Sequence, residues 1–309
     1  MHAYLFDGAR TRRFAIAACG LCAMAAVNPP PNRTIERIRA DGRIRLGYRV
    51  NARPFAYKNE GGQPAGYSIA LCQKVADSVK SDLGLAQLTV DWVPMAMDDR
   101  FRAVQQGQVD LLCGADTQTL TRRSEVDFSI PVFPGGIGAM VRSDAPARLR
   151  EVLAGHNQTF RPTWRATATQ ILQARAFSAV SGTTAATWLN ERLREFKVIA
   201  DVKPVDSYDA GVGKLLARES DVLFGERAIL MDAARRTSAA RDLTVIDRLF
   251  TYEPLAFALA KGDDDFRLLV DRALSRFYRS GQIGAVYTQA FGEPDESAVT
   301  FFRWSALPE

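Results

Sequence analysis

The chain has 309 residues, 47% hydrophobic and 24% charged, with a net charge of +5. That composition is globular, and the length suits one large or two medium domains. Acidic residues are spread among the basic ones, so no nucleic-acid partner is expected. The only histidines, His2 and His156, cannot supply a metal cluster, and neither a metal nor a cofactor is expected.

Residues 1–28 read as an export signal. Arg10, Arg12 and Arg13 form a basic start, Phe14 to Val27 carries no charge, and Ala23-Met24-Ala25 offers small residues for cleavage. The apolar run is too short to span a bilayer. Ile16-Ala17-Ala18-Cys19 resembles a lipoprotein box, which would place a lipid anchor on Cys19. Residues 29–42 read as a linker and a leading helix. Arg43–Arg49 then alternates like a strand entering a loop. A helix is predicted from Gly66 to about Leu83, with Ile69, Cys72, Val75, Ala76 and Val79 on one face. Leu88–Val93 reads as a strand, Arg100–Gln106 as a helix and Val109–Cys113 as a buried strand.

A second alternating block follows a strand at Ile137–Arg142. Its strands are Phe177–Ser181, Lys197–Val205 and Asp221–Phe224, and its helices are Ala185–Phe196, Asp209–Arg218 and Arg227–Arg236. Leu255–Ala260 is a further strand, and Phe266–Arg279 is the last strong helix. Residues 144–175 have no place in this plan. Cys72, on a helix, and Cys113, in a strand, read as two buried free thiols. Two such blocks argue for two α/β lobes, each a mostly parallel sheet covered by helices, joined by two crossings. Small ligands favour such interfaces.

The most telling run is Gly114 to Ser129. A glycine, a cluster of hydroxyls and Arg122 follow a buried strand, and ligands of open α/β sheets bind at strand carboxyl ends. Arg offers a rigid donor fork that matches a carboxylate. Thr117, Thr119, Arg122 and Val126-Asp127-Phe128-Ser129 resemble the signature of bacterial solute-binding protein family 3. Several further segments are similar to that family: Arg45 to Tyr57, Gly66-Tyr67-Ser68, Ser181 to Thr184 and Asp221 to Glu226. Within it the chain is most similar to the glutamate/aspartate-binding branch, which carries Arg at the positions of Arg49 and Arg100. Met97, Ala115, Tyr208 and Glu226 depart from the family's Ser, small hydroxyl, His and Asp.

The resemblance implies a type II periplasmic binding fold with two hinge strands, near Ile137–Arg142 and Leu255–Ala260. Residues 43–139 and 258–309 would form lobe 1, and residues 140–257 lobe 2. It implies a monomeric periplasmic receptor that binds an amino acid and delivers it to an ABC permease, without catalysis. Arg122, Thr117 and the amides of Thr183 and Thr184 would take the α-carboxylate, aided by a helix amino terminus. Glu226 would take the ammonium, and Arg49 and Arg100 a side-chain carboxylate. Gly114, Tyr208, Phe55 and Tyr57 complete the expected site. Three guanidiniums against Glu226 favour an acidic ligand, since an unpaired buried charge is costly. Asp98 or Asp99 would offset the remaining charge. Two alternatives stand beside this reading. One is an enzyme of the cyclohexadienyl dehydratase type, with Glu226 as its acid or base. The other is a ligand-presenting sensory module.

Overall fold

The computed structural model describes residues 33–155 and 165–309. The expected export signal, the lipid on Cys19 and part of the unassigned 144–175 stretch lie outside the described residues.

The first sheet has the strand order Thr89–Met95, Arg43–Arg49, Leu111–Leu112, Ala258–Leu259, Asp127–Phe128. Its first three strands are parallel, and Ala258–Leu259 runs antiparallel to both neighbours. Strand Arg43–Arg49 is buried over its last four residues, as a strand covered on both faces should be. The predicted helix forms as Tyr67–Asp82 and packs its apolar face on helix Asp264–Arg279.

The second sheet repeats the plan: Asp201–Val205, Ala176–Val180, Val222–Glu226, Ile137–Arg142, Leu243–Val245. The first three strands are again parallel, and Ile137–Arg142 is antiparallel to both neighbours. The mostly parallel two-lobe α/β expectation therefore holds.

The passage between the lobes differs from the expectation. Ile137–Arg142 does not pair with Leu255–Ala260. It is wedged inside the second sheet, with its first five residues buried. The crossing pair is Phe133–Gly135 with Glu253–Leu255, antiparallel, Gly135 facing Glu253. Residues 137–139 therefore sit with the second sheet rather than the first. Ala256 and Phe257 bond back to Asp116 and Ser129 in the first lobe. A central strand and a crossing strand are both apolar runs, and periodicity does not separate them.

Cys72 and Cys113 are joined in a disulfide, with Cα atoms 6.1 Å apart, which corrects the expectation of free thiols. The helix face bearing Cys72 lies on the end of the strand that runs into Cys113. Their separation of 41 residues conceals this proximity in the sequence. The bridge fastens the helix to the loop that begins at Gly114.

Several helices among the described residues lie outside the sequence expectation. Ala147–Ala154 and Arg165–Leu172 fill part of the unassigned stretch, and Leu149 and Leu153 pack under the second sheet with Phe177 and Ile246. Ile283–Phe291 and Glu296–Ser305 follow the last strong helix. Phe291 and Tyr287 join Phe55, Tyr67 and Phe133 in an aromatic cluster beside the crossing strand.

Candidate functional site

The carboxyl ends of the parallel strands converge on one cleft between the lobes. Its free volume is about 30 Å3, and it is lined by Arg49, Met97, Arg100, Asp116, Thr117 and Arg122 on one side, and by Thr184, Tyr208 and Glu226 on the other. A larger hollow lies beside Tyr252, Phe301 and Trp304, but its single charged lining residue, Glu296, is exposed. Of the buried charged residues described, Arg49, Arg100 and Asp116 line the interlobe cleft, whereas Asp110 and Asp263 lie outside it.

Arg122 sits on a short helix, Leu120–Arg123, whose first turn is capped by the Thr119 hydroxyl. Its Nη1 donates to the Thr117 carbonyl at 2.7 Å, and its guanidinium lies 5.2 Å from the Phe101 ring. Burial lowers its pKa from the ordinary value, with Asp116 opposing that shift. The fork is thus half-buried and aimed by its own loop.

Arg49 ends strand Arg43–Arg49 and is buried, its Nη2 donating to Asn51 Oδ1 at 3.1 Å. Burial lowers its pKa as well, and the nearest opposing carboxylate is Asp116. Arg100 is occupied differently. Its Nε donates to Asp116 Oδ1 at 2.6 Å, Nη1 donates to the Met97 carbonyl, and both charged partners are buried. Asp116 therefore offsets the guanidiniums, in place of Asp98 or Asp99. Those two are exposed, and Asp99 pairs with Arg102 on the surface. Gly114 does not line the cleft. A Cβ there would lie 2.2 Å from Asp116 Oδ2, so Gly114 makes room for the Asp116 carboxylate. That oxygen is buried without a hydrogen-bond partner among the described residues.

The second lobe contributes helix Thr184–Glu195, which starts at the end of strand Ala176–Val180. The Thr183 side chain caps it, accepting from the Ala186 amide at 3.3 Å and donating to the Val180 carbonyl at 2.6 Å. The Thr183 amide also closes a turn onto Val180. Thr183 therefore lines the cleft with its donors spent, and Thr184 is the hydroxyl that reaches into it.

Glu226 ends the last parallel strand and caps the next helix. Its Oε2 accepts from the Gly136 amide at 2.9 Å and its Oε1 from the Ala228 amide at 3.3 Å. Burial pushes its pKa up to about 8, against the pull of those amides and of Arg227. Arg227 itself pairs with Asp247 at 2.8 Å, leaving Glu226 to the cleft. The Tyr208 hydroxyl, raised to about 12 by burial, accepts from the Glu226 amide at 3.4 Å. Gly225 makes this fit possible, since a Cβ there would meet Tyr208 at 2.4 Å.

Glu253, on the crossing strand, was not singled out in the sequence. Its Oε2 accepts from Thr184 at 2.6 Å and from Thr117 at 2.9 Å, hydroxyls of opposite lobes that stand 3.5 Å apart. Its Oε1 accepts from Thr251 at 2.9 Å. The charge count changes accordingly. Arg49, Arg100 and Arg122 face Asp116 and Glu253, with Glu226 largely protonated at neutral pH, so a smaller positive surplus than the sequence suggested remains to favour an acidic ligand. Two signals for these carboxylates were present in the sequence: Asp116 lies inside the threonine-rich run, and Glu253 precedes Pro254 at a strand start.

Phe55 and Tyr57 do not join the site. Phe55 is wholly buried in the aromatic cluster, 4.9 Å from Phe133 between ring centres. Tyr57 lies under the Arg53 guanidinium, 3.9 Å from its ring centre. Arg49, Arg100, Thr117, Arg122, Thr183, Thr184, Tyr208 and Glu226 are brought together as expected. Ile137, Ile229 and Leu255 add apolar walls.

The chain is 28% identical over 262 residues to an L-glutamate/L-aspartate-binding protein of Pseudomonas aeruginosa, covering 84% of this chain and 80% of that protein. It is 23% identical over 284 residues to a glutamate/aspartate import solute-binding protein of Escherichia coli, covering 90% and 85%. Among solved structures, an ancestral amino acid-binding protein, a precursor of cyclohexadienyl dehydratase, superposes with a TM-score of 0.67 at 22% identity, covering 84% of this chain and 99% of that one. This is the type II periplasmic binding fold. Residues 44–293 match the family, and the chain belongs to the bacterial extracellular solute-binding proteins, family 3.

Proposed function

We propose that this protein is an extracytoplasmic amino-acid receptor that delivers its ligand to an ABC permease, and that the ligand is an acidic amino acid. The observation that carries the reading is the opposed pair Arg122 and Glu226, one on each lobe of a single cleft. An amino acid brings a carboxylate and an ammonium, and burying either unpaired is costly. Arg122 with Thr117 and Thr184 answers the first, and Glu226 the second. Preference for a second carboxylate rests on Arg49, a buried guanidinium whose side-chain hydrogen bond is to the neutral Asn51. The names of the relatives in Pseudomonas aeruginosa and Escherichia coli support the same ligand class.

A ligand touching both lobes favours the closed form through its differential contacts. We assign the hinge to Phe133–Gly135 and Glu253–Leu255, and expect a monomer exported by its amino-terminal signal. Calorimetry with glutamate, aspartate, glutamine, asparagine and arginine tests the reading. Preference for a neutral or basic amino acid refutes the acidic assignment and leaves the family intact. Binding of none refutes the receptor.

One observation favours a second reading. A carboxyl titrating at about 8, as Glu226 does, holds its proton at neutrality and is poised as a general acid. Incubation with prephenate or arogenate, followed by product analysis, separates the two. Turnover establishes an enzyme, and binding without turnover establishes a receptor.

A further inference from the structure

The hydroxyls suited to a ligand's carboxylate already hold a carboxylate of the protein. Glu253 Oε2 accepts from Thr117 of the first lobe and Thr184 of the second. One oxygen thus bridges the cleft at the place where Arg122 and the amino terminus of helix Thr184–Glu195 would receive an anion. Its other oxygen is held by Thr251, whose own Oγ1 accepts from the Ile137 amide at 3.0 Å. Glu253 therefore keeps a fixed partner on the crossing segment even when the bridge is given up. The Glu226 carboxylate and the Glu253 backbone both lie against Gly135. A Cβ there would lie 2.8 Å from Glu226 Oε2 and from the Glu253 carbonyl.

We propose that Glu253 is an affinity-determining residue of the cleft, a tethered substitute for the ligand's carboxylate. With no amino acid bound, it draws the lobes together through Thr117 and Thr184. An incoming carboxylate must displace it from both hydroxyls and tolerate a like charge nearby, so Glu253 lowers affinity. The inference deepens the receptor reading and rests on it for the ligand, but the bridge itself does not need a ligand to be tested.

The experiment uses the mature protein and its Glu253→Gln, Glu253→Ala, Thr184→Val and Glu253→Ala/Thr184→Val variants, each freed of retained ligand by reversible unfolding and dialysis. Solution scattering is measured without ligand, and calorimetry with L-glutamate and L-aspartate. Glu253→Ala and Thr184→Val should each enlarge the ligand-free radius of gyration, and the double variant should add nothing further, because both break one bridge. Glu253→Gln and Glu253→Ala should bind L-glutamate at least about tenfold more tightly than wild type, the scale of one hydrogen bond to a charged group. An unchanged ligand-free radius overturns the bridge. Weaker binding by both Glu253 variants overturns the competitor role and makes Glu253 an acceptor for the ligand's ammonium. If wild type binds neither amino acid, the acidic-ligand reading falls, and the scattering arm alone decides the bridge.

Discussion

Glu226 makes a sharp claim about protons. Burial holds its carboxyl at about 8, so at pH 7 roughly one molecule in ten carries the negative charge that a ligand ammonium needs. Binding must then drive the proton off. At pH 7, uptake of L-glutamate should release most of one proton, and affinity should rise about tenfold from pH 6 to 7 and about fivefold from pH 7 to 8. Above pH 8 the gain should level off. The sign for stability runs the other way. The folded value lies above the ordinary 4.5, so the folded protein holds this proton more tightly than the unfolded chain. Without ligand, the Glu226 contribution is best below about pH 4.5 and declines by up to a few kcal/mol as pH rises towards 8. Calorimetry in buffers of different ionisation enthalpy counts the protons directly. Zero release at pH 7, with an affinity flat from pH 6 to 8, refutes the pairing of Glu226 with the ammonium. The Glu226→Gln variant should release no proton and bind weakly at every pH.

Arg122→Ala should weaken every amino acid by about 2–5 kcal/mol, or roughly thirty-fold to several thousand-fold, with the fold intact by circular dichroism. Arg49→Ala should weaken glutamate and aspartate far more than glutamine and asparagine in the same calorimetric panel. Equal losses across the panel would remove Arg49 from side-chain recognition. Arg100→Ala should act mainly on stability, because it leaves buried Asp116 without its ion-pair partner, a loss of about 3–5 kcal/mol readable in urea unfolding. Replacing Cys72 and Cys113 together by Ala should cost about 2–5 kcal/mol in the same assay, as for other native disulfides.

The local chemistry of this chain is legible in its sequence. Strand and helix periods mark the two α/β blocks, and the run from Gly114 to Ser129 places hydroxyls and Arg122 at a strand end. That much follows from backbone geometry, which repeats every two residues in a strand and every 3.6 in a helix. What the tertiary structure decided was which charges meet. Asp116 looks like an ordinary loop residue until it is found 2.6 Å from Arg100, paired with that guanidinium inside the cleft. Glu253 stands more than a hundred residues from Thr117, and only the crossing of the lobes brings them to 2.9 Å. The Cys72–Cys113 bridge and the burial of Phe55 are of the same kind. Such pairings depend on how separate elements pack in space, and no local spacing encodes them. Arg49, Arg122, Thr184 and Glu226 could therefore be read from the chain as cleft residues, but Asp116, Glu253 and the electrostatic balance they set had to be seen folded.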